Sequence, residues 1–450
     1  MIWFYVLINA AVLLGAVQYM VKTGPRQIVP FALCIALLFI YCLITPVYFY
    51  AIDRQTPIGD EGLFAFVGKD IRGYYEKGMF FYMLANILFV FGFIWKKLAF
   101  DAELYKIREE GLLSLQKKVI SLYGLFYLIV LTDIAVSGIN PLTILVGSAD
   151  ESLFGHQSAT NSYYFRNCAD CIITTIVLFA YLKGKRHLLI LITLMAFLLF
   201  VIMGFRYRII LTIIGLIMVY GMDIGSKLSA KKVLLVSMTI FYFLFFITYN
   251  RWNFIYGRFN ELAYNPADFK YELFFDQTRG SLTDFNLMRY YEQNPGLDHD
   301  YGLTMFGYIF VKALPKFVFP KGEKPYPPPA LQTLDYSQEL PRYWARTGEA
   351  TLHYGAFYGA FGWVGFVVMP FLMGLWLRFV VKRNPSSTPL GFLKQVVFSL
   401  ALFQFVTRGY FPQFVDHFVY ISLPVWVISR SLKKATILSH ASHEAAYKCI

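Results

Sequence analysis

Acid–base chemistry beside an anion needs a carboxylate or an imidazole next to guanidinium groups. One stretch of this chain has all three. In "RYWARTGEATLHYGAFYGAFGWVGF", four ionisable side chains, Arg342, Arg346, Glu349 and His353, precede a glycine-rich apolar segment. On a helical reading Arg346, Glu349 and His353 fall at i, i+3 and i+7 and share one face. Glu349 or His353 is then a candidate for taking a proton, and the arginines candidates for holding an anion. The competing reading is a solvated helix start whose Arg–Glu pair has little energetic weight.

A second cluster lies in "MGFRYRII", where Arg206 and Arg208 interrupt two lipid-soluble stretches. Arg251 in "YNRWNF", Arg279 in "DQTRGS" and Arg408 in "VTRGYF" also sit near expected helix ends. Guanidinium forks match phosphate oxygens and keep their charge at any relevant pH. Each arginine taken singly also fits a snorkelling anchor whose stem lies along apolar surface. The five together raise the expectation of a common anion site.

The elements that position these residues follow from composition. Apolar residues make up 57% of the chain and aromatic ones 19%, more than a water-soluble core can bury. Apolar runs long enough to cross ~30 Å of hydrocarbon recur from end to end. The expected fold is therefore an all-α polytopic membrane protein with about 11 transmembrane helices. The spans fall at about 2–21, 30–52, 79–95, 119–137, 166–182, 188–203, 209–222, 233–250, 356–377, 391–406 and 415–429. The first run lacks a basic leader and a cleavage site and reads as a retained span.

The net charge of +13 is distributed by side of the membrane. Lys22 and Arg26, Lys96 to Lys118, Lys183 to Arg186, Lys227 to Lys232, Arg378 to Arg383, and Lys433 with Lys434 all fall in alternate connections. The positive-inside bias puts those in the cytoplasm, with the N-terminus outside and the C-terminus cytoplasmic. Nothing in the pattern fits nucleic acid. The same bias puts "GFRYR" outside, where basic residues are disfavoured, so a function for its charge is a live alternative to anchoring.

One long outer connection, 251–355, dominates the layout, and its aromatic content argues against disorder. Within it "YGLTMFGYIFVKALPKFVFP" is apolar but interrupted by Lys312 and Pro315, which fits an interfacial helix better than a twelfth span. Trp252, Tyr343 and Trp344 are available to stack on sugars or to sit in an interface belt. "CADC", Cys168 to Cys171, reads as small packing residues rather than a redox or metal pair. "DHD", Asp298 to Asp300, lacks further ligands, and no phosphate-binding Gly-Lys-Ser/Thr loop is present, so neither a metal nor any other cofactor is expected.

"YGLTMFGYIFVKALPKFVFPKGEKP" resembles the Gly-x-x-Tyr/Phe … Pro-Arg/Lys … Pro-x-Lys-Pro stretch of Wzy-type oligosaccharide repeat-unit polymerases, with Lys316 where arginine is frequent. "GEATLHYGAFYGAFGWVGF" is similar to the segment these enzymes share with O-antigen ligases, with a Gly-x-x-Gly turn at Gly362 to Gly365. The resemblance implies a GT-C-like helical bundle in the bacterial inner membrane and glycosyl transfer at its periplasmic face. Donor and acceptor would be undecaprenyl-pyrophosphate-linked glycans. A chain-length regulator protein and membrane lipids would be the partners. Seven arginines, Arg206, Arg208, Arg251, Arg279, Arg342, Arg346 and Arg408, would bind pyrophosphate or glycan, and Glu349 or His353 would be the base. An O-antigen ligase is the nearest alternative. A lipid-linked oligosaccharide flippase is the alternative of another class, although carriers usually show repeated halves.

Overall fold

The computed structural model describes residues 1–53, 73–96, 98, 105–136, 163–203, 206–223, 278–296, 298–315 and 351–438. It also describes 258–268 and isolated residues between 242 and 319. Outside these lie Arg251, Trp252, Lys316, Arg342, Tyr343, Trp344, Arg346 and Glu349, together with most of the expected span 233–250.

The described chain is overwhelmingly helical. Seven helices are long and apolar enough to cross a membrane: α1 (Ile2–Thr23), α2 (Pro25–Ala51), α3 (Tyr74–Ile94), α4 (Glu109–Val136), α10 (His353–Arg383), α11 (Pro389–Arg408) and α12 (Phe411–Ala435). Three shorter apolar helices, α5 (Cys168–Tyr181), α6 (Arg186–Ile202) and α7 (Arg206–Asp223), occupy three further expected spans. Two helices belong to the long connection, the polar α8 (Gly280–Gln293) and the short α9 (Tyr308–Ala313). One small antiparallel ladder joins β1 (Tyr105–Ile107) to β2 (Thr436–Leu438). The chain is a membrane-embedded helical protein.

In the segment expected to form an interfacial helix, a five-residue π turn, Leu303–Gly307, is followed by α9, six residues long. At 1.5 Å per residue that segment is roughly 16 Å long, about half a bilayer core. Leu314 then turns extended (φ −79°, ψ 138°) ahead of Pro315, because the residue before a proline disfavours the α conformation.

The contacts divide the chain into two units. The first comprises Met1–Phe100, Phe275–Asn384 and Ala401–Phe418. Its centre is the pairing of α3 with α10. A Cβ on Gly92 would meet the Phe371 carbonyl oxygen at 2.3 Å, and one on Gly374 the Phe89 oxygen at 2.2 Å. Glycines on facing helices therefore let the two backbones touch, the way helices associate in lipid, where burial of apolar surface no longer drives contact.

Proline chemistry sets the next layer. Pro46 has no N–H, so the Cys42 carbonyl four residues earlier loses its helical donor and α2 relaxes into a π turn, Ile40–Ile44. Asn9 Nδ2 of α1 supplies the missing bond to Cys42 O at 3.1 Å. The Asn9 oxygen accepts from Asn86 Nδ2 at 2.8 Å, and the Asn86 oxygen accepts from Tyr354 O–H at 2.7 Å. A chain of satisfied amides thus ties α1, α2, α3 and α10 together where lipid offers no alternative partner.

The second unit comprises Asp101–Phe274, Pro385–Leu400 and Val419–Ile450. Pro424 inside α12 frees the Tyr420 carbonyl in the same way, and Cys171 S–H donates to it at 3.0 Å. Thr174 Oγ1 donates to the adjacent Ile421 carbonyl at 2.5 Å. Cys171 is accordingly a small buried donor against a broken helix. An open groove of about 740 Å³ between α4 and α12 is lined by Ser114, Lys117, Lys118 and Ser431 above leucine and valine; no expected site residue lines it.

Candidate functional site

The residues with chemistry gather around α8 in the first unit. Ten of its fourteen residues are buried, yet Ser281, Thr283, Asp284, Asn286 and Arg289 are among them. A helix buried on all sides is normally apolar. This one carries polar atoms into the interior and must satisfy them locally or present them to something else.

Asp284 shows local satisfaction. It is 0% exposed, and its Oδ1 accepts from the Leu352 N–H at 2.8 Å. Its Oδ2 accepts from the Gly355 N–H at 3.1 Å and from Tyr82 O–H at 2.7 Å. Leu352 precedes α10 and has no side chain able to cap it, so Asp284 caps that helix from another element. Gly355 is required by the contact, since a Cβ there would lie 2.0 Å from Asp284 Oδ1. Burial pushes the Asp284 carboxyl well above the usual carboxylate range, and the three donors pull it partly back.

The cap fixes the first residue of α10, His353, which is 1% exposed. Its Nδ1 lies 3.1 Å from the Val406 carbonyl oxygen. A carbonyl only accepts, so Nδ1 carries the proton and Nε2 of the uncharged ring is the acceptor. Nε2 is buried with no hydrogen-bond partner among the described residues. Tyr354, Phe357 and Phe405 surround the ring, with centroids at 4.0, 5.8 and 6.0 Å. The histidine thus has a fixed tautomer and a buried Nε2 enclosed by aromatic rings.

Because α10 begins at His353 and Leu352 is extended (φ −71°, ψ 171°), the helical face expected to run from Arg346 through Glu349 to His353 is interrupted. The expected Gly-x-x-Gly turn, by contrast, is present inside α10. Gly362 has φ +61°, open to glycine but strained for other residues, and the helix breaks there. His299 packs against this break, stacked on Tyr291 at 4.4 Å with Nδ1 3.2 Å from Gly359 O, while Asp300 Oδ1 accepts from the Gly302 N–H at 2.8 Å. These contacts make "DHD" part of a turn. No group of three or more metal-ligating side chains occurs among the described residues.

The arginines separate. Arg408 is exposed at the end of α11, and a Cβ on the next residue, Gly409, would lie 2.5 Å from Leu352 O, so this end of α11 abuts the start of α10. Arg279 is the residue preceding α8 and is half-buried. Arg408, Arg279 and His353 thus belong to one unit. Arg206 opens α7 in the other unit. Arg208 is 1% exposed, and its Nε donates to Asp170 Oδ1 at 2.7 Å. The sequence places Arg208 at a loop surface; in the fold it is inside, because α5 presents a carboxylate that neutralises it. A second pair, Arg166 Nε with Asp133 Oδ2 at 3.5 Å, reinforces the same region.

Sequence reasoning missed Asp284, Tyr82, Asn86 and the polar face of α8. The available signal was "RGSLTDFNLMRYYEQ", a helix-compatible run with polar residues at both periodic and non-periodic positions. Also missed was the ion pair of Lys77 with Glu292, which joins α3 to α8 while the ammonium sits 4.6 Å from the Trp363 ring centroid. No protein family, curated protein or solved structure matches the chain.

Proposed function

We propose that the protein polymerises undecaprenyl-pyrophosphate-linked oligosaccharide repeat units by glycosyl transfer at the outer face of the bacterial inner membrane, with its N-terminus outside and C-terminus in the cytoplasm. The observation that carries the reading is the junction of α8 with α10. The buried Asp284 side chain caps the helix whose first residue, His353, holds an unpartnered Nε2 among the described residues, and the end of α11 that carries Arg408 abuts that start.

In the proposed reaction an acceptor sugar hydroxyl attacks the donor anomeric carbon. A C–O bond forms to the acceptor, and the bond from that carbon to the lipid pyrophosphate breaks, the pyrophosphate leaving with the electron pair. The hydroxyl proton passes to His353 Nε2 or to Glu349, a step worth about 10²–10⁴-fold when the base is well placed. Negative charge builds on the departing oxygens, and preorganised guanidinium groups in a water-poor site oppose it best. Arg279 and Arg408 fill that role in the described part, with Arg206, Arg251, Arg342 and Arg346 as further candidates. Arg208 serves by fixing α7 on α5. A chain-length regulator and membrane lipids are the expected partners.

The test is to incubate the purified protein with the lipid-linked repeat unit. A ladder of products supports polymerisation. Transfer to lipid core alone identifies a ligase, and translocation without new bonds a flippase; either outcome refutes the proposal.

A further inference from the structure

Residues 279, 283, 286 and 290 are spaced by four, three and four, so Arg279, Thr283, Asn286 and Tyr290 line one face of α8. Asp284 and Phe285 lie away from that face and make the contacts to α3 and α10. The polar stripe makes none of these contacts, yet it too is enclosed by the fold.

Its two central side chains are 0% and 1% exposed, and Thr283 Oγ1 and Asn286 Nδ2 have no hydrogen-bond partner among the described residues. Threonine inside a helix commonly satisfies its hydroxyl on the carbonyl four residues back, and Thr283 does not. The Asn286 amide is oriented by Arg289, whose Nε donates to Asn286 Oδ1 at 3.1 Å. A guanidinium only donates, so the oxygen must face Arg289 and the N–H₂ group faces elsewhere. The helix thus holds two hydroxyls, Thr283 and, off this face, Ser281, and one oriented amide donor in its interior without a partner among the described residues. Half-buried Arg279 and Tyr290 flank them, one offering a charge at the helix N-terminus, the other an aromatic ring.

We propose that this stripe is the carbohydrate subsite, an inference that rests on the polymerase reading and specifies how the substrate is held. Sugar hydroxyls both donate and accept, matching Thr283 and Asn286. The apolar face of a pyranose suits the Tyr290 ring, and the pyrophosphate suits Arg279. The stripe spans roughly 16 Å at 1.5 Å per residue, the scale of a short oligosaccharide with its diphosphate.

The probe is the undecaprenyl-pyrophosphate-linked repeat unit extracted from the host membrane. Equilibrium binding, transfer kinetics and thermal unfolding are measured on the full-length protein in detergent. Thr283→Val removes an atom that the fold leaves unmatched, so its unfolding temperature should hold or rise, whereas Asn286→Leu also removes the acceptor of Arg289 Nε and should lower it. KM should increase about tenfold or more with kcat little changed, because a polar substrate group loses its partner. Thr283→Ser, which keeps the hydroxyl, should behave as wild type. Unchanged binding in both apolar variants overturns the subsite, as does a loss of activity in Thr283→Val that merely follows a fall in its unfolding temperature. If the wild type forms no ladder, the polymerase reading fails. Binding then still decides the subsite: retention by wild type and loss in the variants supports it, and equal binding or none overturns it.

Discussion

Replacing Asp284 by asparagine isolates the cap that joins the long connection to α10. The side chain keeps its size and still accepts from Leu352 N–H, while its N–H₂ replaces the oxygen that accepts from Gly355 and Tyr82. The tyrosine hydroxyl can turn to accept; the Gly355 N–H cannot, and stays buried without a partner. One stranded buried donor costs about 1–3 kcal/mol. Asp284→Ala strands all three donors and should cost roughly 3–9 kcal/mol on the same scale. The pH dependence is more telling. Burial holds the Asp284 carboxyl well above its unfolded value of about 3.9, so the folded state keeps a proton that the unfolded state has lost. Its stabilising effect is complete below about pH 4 and declines as pH rises toward the raised folded value, by at most about 1.4 kcal/mol per pH unit. Asparagine has no proton to lose. Unfolding in detergent followed by tryptophan fluorescence from pH 4 to 8 should show the wild type losing stability relative to Asp284→Asn as pH rises. Parallel curves, or a wild type that gains on the variant, would refute the reasoning.

Three further outcomes are expected. Arg208→Ala leaves Asp170 charged and buried, costing about 3–5 kcal/mol and lowering accumulation in the membrane, whereas Arg208→Met with Asp170→Leu should recover most of the yield by size-exclusion chromatography. Gly362→Ala at φ +61° should lower unfolding stability by about 1–2 kcal/mol and lower transfer activity, since the break in α10 must straighten or strain. His353→Gln should cut single-turnover transfer about 10²–10⁴-fold with the fold intact if His353 is the base, while the exposed Arg408→Ala should shorten chains without changing thermal stability; wild-type rates for His353→Gln would leave Glu349.

The span positions were legible because crossing hydrocarbon imposes a one-dimensional rule of length and apolarity that needs no partner. α1, α3, α4, α10, α11 and α12 each overlap an expected span. Glycine and proline were legible for a related reason: Gly362 breaks α10 and Pro315 follows the end of α9 through backbone restrictions carried by the residue itself. The start of α10 was misread, since a helix can be extended on paper through Arg346 and Glu349 while its actual first turn depends on a cap supplied from Asp284.

That difference marks the division between chain and fold. Local chemistry alone indicated which segments form long apolar helices and where α10 breaks. Which charges are open to a ligand was settled only by tertiary contact, because a buried charge is tolerable only beside its complement and complements are distant in the chain. Arg208 finds Asp170 38 residues away, and Asp284 finds Leu352 68 and Tyr82 202 residues away. His353 has a fixed tautomer only because the Val406 carbonyl, 53 residues on, holds its Nδ1.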